Sequence, residues 1–136
     1  MPRQEEFRPG FRISKLDVGV LIVGILMSAL VGRSDEWLGL AVAFTVAHFF
    51  LFCNILRMSR PYELIWAVLF VLLAGSTVLQ AVPLWTHTFS AMLICTLVFA
   101  VAELRKPSYH GAFWKFVNPN LPQWWATNIE HPSGPG

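Results

Sequence analysis

The sequence predicts an all-α integral membrane protein: a four-transmembrane-helix antiparallel bundle, N-in/C-in, followed by an aromatic-rich cytoplasmic C-terminal tail. Three observations carry this. Of 136 residues, 55% are hydrophobic and only 13% charged, against roughly 25% charged in soluble chains. Between Leu16 and Leu104 the charges fall in short clusters separated by long apolar runs. The basic residues, finally, gather on alternate sides of those runs, as the positive-inside rule requires.

The apolar runs are 16–32, 37–56, 62–82 and 86–104. Each suits a hydrocarbon core of about 30 Å at a rise of about 1.5 Å per residue. None shows the two-residue alternation of an outer-membrane strand. Ser14-Lys15-Leu16-Asp17 has the form of a capping box, with Asp in place of the usual Glu, opening the first helix. Ser34 or Asp35 can cap the second, Ser59 with Pro61 opens the third, Pro83 closes it, and Thr86 can cap the fourth. Connections this short make consecutive helices antiparallel neighbours.

Orientation follows from the basic residues. Arg3, Arg8, Arg12 and Lys15, then Arg57 and Arg60, then Arg105, Lys106 and Lys115 lie on one side, and Arg33 alone on the other. The excess places both termini in the cytoplasm, with Trp37 and Trp85 at the outer interface and Tyr62 and Trp66 near the inner one as an aromatic belt. Segment 1–15 is then cytoplasmic, 16–104 the transmembrane bundle, and 105–136 a cytoplasmic interfacial tail. The first run reads as a retained anchor, since Glu5 and Glu6 and the lack of a small-x-small cleavage pattern argue against a signal peptide. A bacterial cytoplasmic (inner) membrane fits the charge asymmetry.

Gly24, Ser28 and Gly32, four apart on one helix face, form a small-residue seam suited to close approach of another helix, either within the chain or from a partner subunit. The tail concentrates Phe113, Trp114, Phe116, Trp124 and Trp125 among Pro, Asn and Gly, with short amphipathic pieces expected over 109–117 and 122–129. Such aromatic density beside a membrane implies docking at headgroups or on a protein. Phe113, Trp114, Trp124 and Trp125 join the seam as expected partner-binding residues.

His48 lies roughly 16 Å from Trp37 along the helix, near the bilayer midplane, at a rise of 1.5 Å per residue. An imidazole there needs a partner. It is read as hydrogen-bonded to Thr45, Cys95 or a backbone carbonyl, as the axial ligand of a haem or chlorophyll-type pigment, or as part of a proton or substrate path. Glu63 and Glu103 sit at inner helix ends, where Arg60, Arg105 or Lys106 can pair with them. No carboxylate falls in the middle of any run, and no GxSxG, HExxH, P-loop or GxGxxG occurs. Cys53 and Cys95 have neither CxxC nor zinc-site spacing, and a net charge of +2 does not call for nucleic acid.

The sequence therefore points to a non-catalytic accessory or scaffold subunit of a larger membrane complex, surrounded by the lipid bilayer and other membrane subunits. A pigment-binding electron-transfer or light-harvesting protein is the first alternative. A small oligomeric transporter or channel is the second.

Overall fold

The computed structural model describes residues 7–130 and, among them, is all-helical, with four helices long and apolar enough to cross a membrane. They are α1 (Lys15–Gly32), α2 (Glu36–Phe50), α3 (Arg60–Gln80) and α4 (Trp85–Leu104). Two short helices follow, α5 (Trp114–Val117) and α6 (Leu121–Trp125). Wider π-helical turns extend α2 over Leu51–Ile55 and α6 over Ala126–Glu130.

The helix starts follow local chemistry. Ser14 and Asp17 close the expected capping box: the Asp17 N–H donates to Ser14 Oγ at 3.2 Å, and the Ser14 N–H to Asp17 Oδ2 at 2.7 Å. Asp35 Oδ1 accepts from the N–H groups of Trp37 and Leu38, satisfying two orphan donors of α2. One expectation needs correction. Thr86 does not cap α4, which begins at Trp85 after Leu84, so that Trp85 stacks on Phe89 one turn on at 5.5 Å. Ser59 is the N-cap of α3, extended before the first-turn Pro61 as expected, and its hydroxyl bonds Glu103.

In lipid the solvent does not drive helices together, so close approach and hydrogen bonds must hold them. The α1–α2 pair uses both. Gly24 packs on Val46, Gly32 faces Gly39, and Ser28 Oγ donates to the Gly39 carbonyl at 2.7 Å. Advancing along one helix means retreating along the other, so this pair is antiparallel. Of the two helices the Gly24–Ser28–Gly32 seam could receive, one of the same chain or one of a partner subunit, it holds the first, α2. The rest of α1 is largely exposed.

The second pair, α3 and α4, is tied by side chains. Trp66 Nε1 donates to Thr96 Oγ1 at 2.9 Å, the Thr77 and Thr88 hydroxyls meet at 2.9 Å, and Tyr62 stacks on Phe99. Between the pairs lies a core of Ala41, Phe52, Met58, Trp66, Phe70 and Met92. Here α2 reaches α3 and α4 through rings: Phe44 lies 5.8 Å from Phe70 and 4.9 Å from Phe89. Trp66 is not a belt residue. At 4% exposure it is inside this core, while Trp37 remains exposed at the opposite end of the molecule.

Candidate functional site

His48 belongs to the aromatic core. Its ring is 6% exposed, stacked on Trp66 at 4.7 Å and 19°, with Phe44 at 4.1 Å and Phe52 edge-on at 5.7 Å. Nδ1 is 2.7 Å from the Phe44 carbonyl, one turn back on its own helix. The expected backbone-carbonyl bond is thus present, within the helix rather than across helices. Thr45 bonds the Ala41 carbonyl instead. A Nδ1–carbonyl bond leaves Nε2 as the ligating nitrogen that a haem or chlorophyll-type macrocycle would need. The faces of the imidazole are taken by the Trp66 and Phe44 rings.

Two cavities lie where the N-terminal arm and the C-terminal tail meet the α2–α3 turn. Leu-Phe-Cys-Asn-Ile follows α2 as a π turn, with the Leu56 N–H on the Leu51 carbonyl and the Met58 N–H on the Phe52 carbonyl. Arg57 then turns left-handed at φ 48°. A helix leaves its last carbonyls without internal partners, and here both chain ends supply them. The Arg12 N–H reaches the Asn54 carbonyl at 3.2 Å, and the Ala112 N–H the Ile55 carbonyl at 2.7 Å. Gly10, at φ 107°, joins the two ends by donating its N–H to the His110 carbonyl at 2.7 Å. Arg57 Nη1 donates to the Arg8 carbonyl at 2.6 Å.

The tail folds as a cap over this junction. Tyr109 (1% exposed) and Leu121 (0%) anchor it; the Tyr109 hydroxyl donates to the Ala112 carbonyl at 2.8 Å, and Asn118 Nδ2 to the Pro107 carbonyl at 2.6 Å. The helical pieces expected over 109–117 and 122–129 form at 114–117 and 121–130. Trp114 and Trp125 turn toward the N-terminal arm, edge-on to Phe7 at 6.0 and 5.4 Å. Phe113 and Phe116 stay outside, 75% and 87% exposed. The final residues 131–136, and the arm before Phe7 with Arg3, lie outside the described residues.

Gly111 is the tightest point of the cap. A Cβ there would lie 2.5 Å from the Leu56 carbonyl oxygen, 2.6 Å from the Tyr109 hydroxyl and 2.8 Å from the Ile55 carbonyl oxygen. Gly111→Val is therefore expected to unseat the cap while leaving the spans folded. Limited trypsin digestion should then cut after Lys115 at least about tenfold faster, by the ~1.4 kcal/mol per decade relation for an opening equilibrium. Wild-type protection in this variant would show that the seating does not depend on the close approach.

Tyr109 adds a pH dependence. Burial, then the nearby Glu103 charge, pushes its phenol above the ordinary value, which is about 10. Folding then favours the neutral phenol, so the contribution is fully present below the unfolded value and is lost as pH rises through the raised one. The cap should hold at neutral pH and loosen progressively above about pH 10, in a Tyr109-dependent transition in tail protease sensitivity. A Tyr109→Phe protein with the same alkaline transition would contradict this.

Two cavities open beneath the cap. One, of about 520 Å³, is lined by Arg12, Asp17, Asn54, Arg57, Arg60 and Glu63, among others. The other, of about 870 Å³, has Arg8, Arg12, Arg57, Arg60, Glu103 and His110 in its wall, with Trp124, Trp125 and Ile129 as its apolar side. Glu103 is already held by Lys106 Nζ at 2.8 Å, as the sequence suggested, and by Ser59. Glu63 instead accepts from Cys53 Sγ at 3.6 Å. Burial, with Arg12 as a like-charged neighbour, lowers Arg57 from the usual arginine value. The Trp125 indole N–H is shielded from solvent and finds no hydrogen-bond partner among the described residues.

Higher in the spans, an apolar groove of about 570 Å³ runs between α2 and α3, with Ala41, Thr45, Ala74 and Gly75 among its lining residues. A Cβ on Gly75 would meet nothing within 4 Å.

No family model, curated protein or solved structure matches this chain.

Proposed function

We propose that the chain is a non-catalytic accessory or scaffold subunit of a larger complex in a bacterial inner membrane, with four antiparallel spans and both termini in the cytoplasm. The observation that carries this reading is the cap. The segments around Gly10–Arg12 and His110–Ala112 are knitted by backbone hydrogen bonds onto one helix end, the end that gathers most of the basic residues. A folded, aromatic-faced platform at the membrane surface suits the docking of another protein. Phe113 and Phe116 are its outward contacts, whereas Trp114 and Trp125 serve to hold it together. The groove beside Ala74 and Gly75 adds a seam where small residues let a partner helix come close. The polar groups of the core favour this over transport: His48, Thr77, Thr88 and Thr96 are each buried and hydrogen-bonded to one another, to Trp66 or to backbone carbonyls.

The test is native mass spectrometry of the full chain, extracted from its own membrane into lipid nanodiscs. The expected result is a large assembly with other subunits, from which a Phe113→Ser/Phe116→Ser double variant is lost while still folding. A lone 15.3 kDa chain, or a homo-oligomer, would sink the reading.

A further inference from the structure

We propose that the cleft between α2 and α3 holds one transmembrane helix of another subunit, apolar along its length and carrying a Lys or Arg at the capped end, where it meets Glu63. The proposal rests on the accessory-subunit reading and names the kind of partner that reading requires.

Length is the first argument. The groove beside Ala74 and Gly75 is followed by a second cavity of about 210 Å³, lined by Phe49, Cys53, Glu63, Leu64 and Ala67 among others, and Thr45 lines both. Along α2 the two run from Leu38 to Cys53, and along α3 from Leu79 back to Glu63. At a rise of about 1.5 Å per residue this is roughly 22–24 Å, most of a hydrocarbon core of about 30 Å. A lipid tail serves one leaflet, about half of that core. Two tails from opposite sides would be needed to fill what a single helix crosses in one piece.

The walls are the second argument. Ala41, Thr45, Ala67, Ala74 and Gly75 keep them low, and small residues let a neighbouring helix approach closely in lipid. A Cβ on Gly75 would meet nothing within 4 Å. The Thr45 hydroxyl is committed to the Ala41 carbonyl and Trp66 Nε1 to Thr96. Over most of its length, then, the cleft asks its occupant for apolar contact only.

Charge is the third argument, and it sets the direction. Among the described residues lining the two cavities, Glu63 alone is charged. It is half-buried and accepts from Cys53 Sγ at 3.6 Å, a thiol being a weak donor. Glu63 also lines the smaller cavity under the cap, so it stands where the cleft opens at the membrane surface. A lipid tail offers a carboxylate nothing, whereas a Lys or Arg at a helix end offers a charge-assisted hydrogen bond. Spans carry such residues on the side where this chain gathers its own, so an ordinary transmembrane helix has its cation at the required level.

The experiment uses the full chain in its own membrane, with a photoreactive phenylalanine analogue in place of Leu64 or Val71. Both line the cleft and are 64% and 68% exposed. Leu72, exposed but outside both linings, is the control position. Irradiation precedes extraction, and the captured peptide is sequenced by mass spectrometry. Leu64 and Val71 are expected to capture the same membrane-spanning segment of another protein, with a Lys or Arg at its Leu64 end, and Leu72 is not. Retention of that subunit in native mass spectrometry should fall at least about tenfold, or ~1.4 kcal/mol, in Gly75→Leu and in Glu63→Lys but not in Leu72→Phe. Exchanging the partner's cation for Glu should restore retention by Glu63→Lys, which a merely misfolded variant would not allow. Capture of lipid alone or of a second copy of this chain overturns the proposal, as does full retention in both cleft variants. An assembly lost only in Phe113→Ser/Phe116→Ser leaves the subunit reading standing and removes the helix from the cleft. A lone chain with lipid in the cleft removes both.

Discussion

Gly39→Val is expected to part α1 from α2. A Cβ at residue 39 would lie 2.5 Å from Gly32 Cα, 2.8 Å from Gly32 N and 2.9 Å from the Ser28 carbonyl oxygen. All three are backbone atoms and cannot swing aside, so the helices must separate or shift. Separation also removes the bond from Ser28 Oγ to the Gly39 carbonyl, and bonds of this kind contribute about 0.6 to 1.7 kcal/mol inside membranes. Overpacking adds about 1–3 kcal/mol, so the total loss should be about 3 kcal/mol. Equilibrium unfolding in mild detergent, followed by tryptophan emission, measures it. Gly75→Ala is the matched control. Open space surrounds that position, and Ala is preferred to Gly in a helix by up to about 1 kcal/mol. Equal stabilities for the two variants would contradict the packing described for α1 and α2.

Trp66→Ala is expected to cost about 3–5 kcal/mol, the range for deleting a large buried aromatic side chain. Trp66 is where three spans meet. It stacks on His48 of α2, lies 5.3 Å from Phe70 on α3 at 10°, and donates Nε1 to Thr96 of α4. Trp66→Phe separates the contributions. It keeps a ring for the stack and removes only the indole donor, while Thr96 Oγ1 keeps its bond to the Met92 carbonyl. That variant should lose about 1 kcal/mol from the hydrogen bond, together with a smaller packing loss. If Trp66→Ala were no worse than Trp66→Phe, the stack would not be what joins the two helical pairs.

The spans were legible because long apolar runs and capping residues are local signals. Ser14 with Asp17, and Asp35 with the start of α2, act where the sequence places them. Trp66 was misplaced because its nearness to a helix end was read as an interfacial position, while its burial depends on Thr96 thirty residues away. The small-residue seam was legible as a contact surface, but spacing on one helix does not say which helix fills it. Least legible was the site under the cap. Arg8, Arg12, Arg57 and Arg60 entered the sequence reading only as markers of orientation. Their convergence depends on the π turn after Phe50, which an apolar Leu-Phe-Cys-Asn-Ile stretch does not announce. It depends equally on Gly10–His110 and Ala112–Ile55 backbone bonds across wide sequence separations. The available signals were Gly10 and Gly111, glycines in segments with no other need for them, one at positive φ and one at a close approach.

Thiol labelling of intact cells tests directly whether the capped end faces the cytoplasm. In a Cys53→Ser/Cys95→Ala background, single cysteines are placed at Phe116 in the cap and at Ser34 in the α1–α2 turn, then exposed to a membrane-impermeant maleimide. Labelling of Ser34→Cys in intact cells, with Phe116→Cys labelled only after the membrane is opened, is the predicted result. Labelling of Phe116→Cys in intact cells with Ser34→Cys protected would contradict it, placing the arginine-lined cavities and the aromatic platform outside the cell.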